Sequence, residues 1–286
     1  MYLPKNSYLQ SLFWLSLSIL SSCLNDLVTK YLITGLTACQ ICFFRFSFGS
    51  LVLVPIMCHR GSHAFTTERP LLHLFRGLFL SIAMGLYAYS LNAITMSSAT
   101  VIGFTNPIFV LILARIFLKE QVAPPIWVAT LLTCIGMAFI LRPTMYNSGA
   151  LSCILATIVF ASLDIINKKY ITREPILAML FFSNLIAACC MLPVAYYYWE
   201  SPTLFELCLS SILGLGSNLI LYFLLKALQQ SDVASLAPMK YTEWVLSILL
   251  GYLFFQEWPT ASTCLGAAII ISCTCFIVYY QNRLKA

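Results

Sequence analysis

The stretch Val233–Glu257, VASLAPMKYTEWVLSILLGYLFFQE, sets Lys240 and Glu243 inside a run otherwise apolar enough to cross a bilayer. A charge at the centre of a membrane costs about 2.5–3.5 kcal/mol on insertion scales, so one that persists faces a protein interior, a partner charge or a watery cavity. Lys240 and Glu243 are three residues apart, which puts both on one face of a helix. Two readings follow: an internal ion pair that locks neighbouring helices, or charges lining a cavity. Pro238, just upstream, removes a backbone donor and frees a carbonyl to line such a cavity.

The rest of the chain has the same character. Of its 286 residues 60% are hydrophobic and 9% charged, against about 25% charged in soluble proteins, and the mean hydropathy is +0.89. Apolar runs of roughly 20 residues are what a membrane-crossing helix needs. Ten windows meet that need: 8–30, 36–58, 71–92, 97–118, 124–141, 149–170, 176–199, 204–228, 233–256 and 260–281. The first is read as a helix rather than a cleaved leader, because Asn25 and Asp26 stand where a small-residue cleavage site would be. The fold class is thus an all-α integral membrane protein with ten transmembrane helices and no soluble domain.

Several function classes drop out. No G-x-x-x-x-G-K-[ST] loop is present to couple ATP directly. Most of the twelve Cys lie within apolar runs, where they act as small hydrophobes. Cys39 and Cys42 spell C-x-x-C, but no second pair follows at ligand spacing, so neither metal nor cofactor is expected. His59, His63 and His73 are read as lying in or beside a loop, and no H-E-x-x-H or nucleophile with its base is present, so no enzyme is expected. A net charge of +6 is explained by position along the membrane rather than by nucleic acid. With a cytoplasmic N-terminus, ten basic residues flank the inner ends of the spans (Lys5, Arg60, Arg69, Lys119, Lys168, Lys169, Arg173, Lys226, Arg283, Lys285) and two the outer ends (Lys30, Arg142). The positive-inside rule then puts both termini in the cytoplasm and Tyr196–Trp199 in the outer interface. Nothing in the chain bears on oligomeric state.

The two halves resemble each other. Leu24-Asn-Asp-Leu-Val-Thr-Lys-Tyr31 aligns without gaps on Leu163-Asp-Ile-Ile-Asn-Lys-Lys-Tyr170, Phe104-Thr-Asn106 on Tyr241-Thr-Glu243, and Leu118-Lys-Glu120 on Phe255-Gln-Glu257, at offsets of 139, 137 and 137 residues. Residues 1–142 and 143–286 are therefore read as two repeats of five spans each. An odd number of spans inverts the second copy, and inverted repeats build transporters whose site lies between the halves near the midplane.

The side chains that carry chemistry are few. Arg45 lies well inside the second span and needs an anion: Asp26, Glu243 or a substrate carboxylate gripped by its planar fork. Arg76 and Arg115 lie near helix ends, where snorkelling explains them. Asp26 and Asp164 come near opposite ends of their spans and suggest the two mouths of one cation path; Lys168, four residues on, is the alternative partner of Asp164. Trp14, Tyr87, Tyr89, Asn92, Asn106, Tyr222, Tyr241 and Trp244 are available to furnish a pocket, since aromatic faces attract cations and stack on planar bases. Gly77, Ser81 and Gly85 give the third span a small face for close helix packing.

With its ten spans in two halves, Phe44-Arg45-Phe46 in the second span, and Leu118-Lys-Glu120 and Phe255-Gln-Glu257 before small-residue-rich last helices, the chain resembles the drug/metabolite transporter superfamily, EamA type. A narrower likeness, on Leu163-Asp-Ile-Ile-Asn-Lys-Lys169, Leu221-Tyr-Phe-Leu-Leu-Lys-Ala227 and Lys240-Tyr-Thr-Glu243, is to the S-adenosylmethionine uptake transporters of obligate intracellular bacteria. That resemblance implies import of S-adenosylmethionine across the inner membrane, in exchange for S-adenosylhomocysteine; an EamA carrier of an amino acid or an amphipathic drug is the alternative. For such a ligand Lys240 or Arg45 would hold the carboxylate, Glu243 or Asp164 the ammonium, and Tyr241 or Trp244 the adenine or sulfonium.

Overall fold

The computed structural model describes residues 5–32, 35–61, 65–67, 69–93, 102–103, 105–121, 123–140, 148–171, 174–236, 239–240 and 242–255, with short pieces between 268 and 280. Nine helices carry the fold among them: α1 Lys5–Leu32, α2 Ala38–His59, α3 Pro70–Ala93, α4 Asn106–Leu113, α5 Pro124–Ile140, α6 Ser148–Tyr170, α7 Ile176–Tyr197, α8 Leu204–Gln230 and α9 Thr242–Phe255. No strand occurs in the described residues. Helices α1, α2, α3, α6, α7 and α8 are each long and apolar enough to cross a membrane, so the chain is a multi-pass membrane protein. Their exposed Phe13, Leu51, Leu71, Leu151 and Leu204 are costly in water and comfortable in lipid. The expected tenth window lies largely outside the described residues.

Helix ends follow local chemistry. Thr37 caps α2, its hydroxyl accepting from the Gln40 amide, and Gly61 takes a positive φ of 88° just past the end of that helix. Thr203 and Glu206 form a reciprocal capping box that starts α8. Of the expected continuous helix over 233–256, the described residues give one α-helical turn at Val233–Leu236, a 3₁₀ stretch at 239–240 and an α-helix over Thr242–Phe255. Helix α4 begins at Asn106 with Pro107 in its first turn and runs into a π turn over Ala114–Leu118.

The packing pairs helices across the halves. Helix α1 lies on α8 and α3 on α6; α2 touches α8 and α3 touches α7; α4 meets α6 and α1 meets α9; α2 also packs along α7. Small residues permit the close approaches. A Cβ on Gly214 would sit 2.6 Å from the Gly49 amide nitrogen, and one on Gly77 would sit 2.5 Å from Ile186. Beside the first contact Asn184 donates to Asn218 Oδ1 (2.7 Å) and Asn218 donates to the Gly49 carbonyl (2.7 Å), tying α7, α8 and α2 together. Gly214→Ala is expected to force α2 and α8 apart at a cost of about 1–3 kcal/mol, read as a lower melting temperature of the purified protein in detergent.

Three polar side chains depart from expectation. Arg76 does not snorkel: it is 1% exposed, donating through Nε to Asn167 (2.9 Å) and through Nη1 to the Met179 carbonyl (2.9 Å). Its partners come from α6 and α7, and spacing along α3 alone cannot reveal them. His73 is buried on α3, not in a loop, and meets Thr67 (3.0 Å) and Glu174 (3.6 Å). Lys168 does not pair with Asp164; its ammonium donates to the carbonyls of Leu228 (2.6 Å) and Ser231 (2.5 Å), closing the C-terminal end of α8.

Candidate functional site

Lys240 lies in the 3₁₀ stretch at 239–240 and Glu243 in the first turn of α9. Lys240 Nζ reaches Asp164 Oδ2 on α6 at 2.5 Å. Asp164 is buried, and beside the pair Leu15, Val110, Leu228 and Leu236 leave a void of about 10 Å³, room for little more than a water. Each charge in this pair has its counter-charge, as an intramembrane charge requires.

Glu243 turns the other way. It hydrogen-bonds the Ser22 hydroxyl on α1, and the Cys23 thiol approaches its backbone carbonyl (3.5 Å). Its charge and that of Arg45 both act on Asp26, Arg45 in turn faces Cys42 and Asp26, and Tyr87 senses Asp26, Cys153 and Glu243. Electrostatic influence thus links side chains of α1, α2, α3 and α9. Asp26 is exposed and Arg45, Tyr87 and Glu243 are only partly buried. One guanidinium is thereby grouped with two carboxylates, a set suited to a ligand with one anionic and two cationic groups.

Sequence reasoning left Asp26, Glu243 or a substrate carboxylate as the partner of Arg45 and grouped Lys240 with Glu243, whereas the structure gives Lys240 to Asp164 and puts Asp26 within electrostatic reach of Arg45 and Glu243. It missed Ser22 and Cys42, whose signal was spacing: Ser22 is four residues before Asp26 and Cys42 three before Arg45, hence on the same helix faces. Asn106 heads α4 and its amide lies 3.5 Å from the Thr157 carbonyl of α6. Tyr89 is exposed on α3 with its hydroxyl 3.2 Å from Ser148 Oγ. Tyr222 packs with Leu53, Met57, Leu180 and Phe181 in an apolar cluster apart from that charge group. Trp14 stacks on Phe223 in the core. Tyr241 and the side chains of Trp244 and Asn92 lie outside the described residues.

Comparison with known proteins adds a family. The profile of the EamA-like transporter family matches residues 9–142 and again residues 147–279. A protein of Rickettsia conorii described as an S-adenosylmethionine uptake transporter is 43% identical over 279 residues, covering 97% of this chain and 95% of that one. A riboflavin transporter of Rhizobium johnstonii is 28% identical over 276 residues, covering 94% and 91%. A solved crystal structure matches with a TM-score of 0.82 over 96% of this chain and 99% of that one; at 17% identity this likeness is one of fold alone.

Proposed function

Because the chain belongs to the EamA-like transporter family, we propose that it is a secondary carrier that imports S-adenosylmethionine across the inner membrane by alternating access, in exchange for S-adenosylhomocysteine. It is a transporter, not an enzyme. The architecture we infer is ten spans in two inverted repeats, residues 1–142 and 143–286, with both termini in the cytoplasm. Support comes from the packing: the α1–α8 contact becomes α6–α3 when the halves are exchanged, α2–α8 becomes α7–α3, α4–α6 becomes α9–α1, and α2–α7 maps onto itself. The helix starts at Asn106 and Thr242 fall at corresponding places in the two halves as well, and interrupted helices at the repeat interface are where such carriers bind their cargo.

The observation that carries the substrate is the charge set of Arg45, Asp26 and Glu243, taken beside the 43% identity to the R. conorii transporter. S-adenosylmethionine has one carboxylate, one ammonium and one sulfonium. Arg45 suits the carboxylate as a two-pronged donor, while Asp26 and Glu243 suit the two cations. Tyr87 stands beside both acids, where an aromatic face adds attraction for a sulfonium. An uncharged isoalloxazine would leave one carboxylate of this set uncompensated, a cost in a membrane interior. With the N-terminus inside, the Lys240–Asp164 pair and Lys168 close the cytoplasmic end, and water-exposed Asp26 lies toward the outside, the outline of a carrier ready for uptake.

The test is uptake of labelled S-adenosylmethionine into cells expressing the chain. Competition by S-adenosylhomocysteine but not by methionine or riboflavin is the expected result. No uptake above the empty vector, or a methionine-sensitive signal, overturns the assignment.

A further inference from the structure

Where α4 ends, cations and apolar side chains stand side by side. In the π turn over Ala114–Leu118, Ile116 and Phe117 are 61% and 63% exposed, which in a membrane chain is exposure to acyl chains. Arg115 and Lys119 are exposed as well. Among the described residues these two cations line a cavity of about 460 Å³ together with Glu120 and Gln121, a volume in the range of small-ligand sites, about 300–1,000 Å³. Neither cation forms an ion pair among the described residues. Glu120 is engaged elsewhere, its Oε1 accepting from the Val233 amide (3.3 Å). Two cations and one carboxylate leave the lining one net positive charge, so an anion fits it and S-adenosylmethionine, a net cation, does not. Lys119 also holds φ at 55°, the left-handed region where glycine is the default residue.

We propose that this cavity seats the phosphate headgroup of an anionic phospholipid of the inner leaflet, between Arg115 and Lys119, with the acyl chains against Ile116 and Phe117. The leaflet rests on the orientation inferred above; the site itself does not depend on the cargo. Basic pockets at the cytoplasmic face of membrane helices attract anionic headgroups. The guanidinium offers the phosphate two parallel donors and the ammonium a point charge. A zwitterionic lipid brings its own cation, which the positive lining repels. A dissolved anion would use the two cations and leave the adjoining apolar pair without a role. Glycine would occupy position 119 without backbone strain, so what lysine adds there is its charge.

Native mass spectrometry of the purified chain, offered phosphatidylglycerol and phosphatidylcholine with the same acyl chains, decides it. Phosphatidylglycerol is expected to stay bound in preference. Each basic residue beside an anionic headgroup is worth about fivefold, so Arg115→Gln combined with Lys119→Gln is expected to weaken its retention about 30-fold. Lys119→Gly separates charge from fold: retention is expected to weaken about fivefold while the melting temperature holds or rises, because glycine relieves the left-handed backbone. Glycerol 3-phosphate, the headgroup chemistry without acyl chains, is expected to leave the melting temperature unchanged. Equal retention of the two lipids, or native retention of phosphatidylglycerol by the double variant, overturns the proposal. A melting shift with glycerol 3-phosphate as large as with phosphatidylglycerol also overturns it, by assigning the cavity to a soluble anion.

Discussion

Uptake of S-adenosylmethionine by the Glu243→Gln variant is expected to fall about 100-fold, with the protein inserted and folded as before. Glutamine keeps the shape of the side chain and an oxygen for the Ser22 hydroxyl, so the local start of α9 survives. What goes is the negative charge. Losing one member of an enclosed charge pair costs about 2–5 kcal/mol, and about 1.4 kcal/mol is tenfold in affinity. In water the same change would be nearly silent; inside a membrane chamber no solvent counter-ion replaces it as well. Insertion is checked by yield and melting temperature, transport by initial rate. A variant that transports at the native rate would remove Glu243 from the binding site. A variant that fails to insert would make the residue a structural one.

The parts of the fold legible in the sequence were those governed by local rules. Hydrocarbon thickness sets the length of an apolar run, so the spans of α1 to α3 and α6 to α8 matched their expected windows to within about two residues. Departures from α-helix inside a window were harder. Pro238 itself lies outside the described residues, and the 3₁₀ stretch at 239–240 brings Lys240 to Asp164, 76 residues earlier in the chain. The same limit explains Arg76 and His73. Their partners Asn167, Met179 and Glu174 lie across the half boundary, so a rule based on position along one helix assigned them to lipid headgroups or a loop. For the site, Asp26, Arg45 and Glu243 were visible because charge is conspicuous in an apolar run. Ser22 and Cys42 were not, since small polar residues on membrane helices more often satisfy their own backbone, as Ser21 does at the Leu17 carbonyl.

The Lys240–Asp164 pair offers the second large effect, and it separates two roles that the charges alone leave equal. Removing either partner strands the other in an apolar layer beside Leu15, Val110 and Leu236; the expected loss is about 3–5 kcal/mol of stability, read as a much lower melting temperature for Lys240→Met or Asp164→Asn. Removing both, as Lys240→Met with Asp164→Leu, is expected to restore most of that loss, because well-packed apolar groups replace a buried pair at little cost. The double variant is then stable enough to assay. If Lys240 held the substrate carboxylate, its affinity for S-adenosylmethionine would drop about 100-fold. If the pair is a closure between α6 and the 3₁₀ stretch before α9, affinity stays within a few-fold while amide exchange over 224–236 accelerates, as the inner end opens more often. The geometry favours the closure: Lys240 and Asp164 already satisfy each other at 2.5 Å, whereas partly buried Arg45 lies within electrostatic reach of Asp26. On the proposed reading, substrate recognition would then fall to Arg45, and the Lys240–Asp164 pair would act as a gate that parts before cargo leaves.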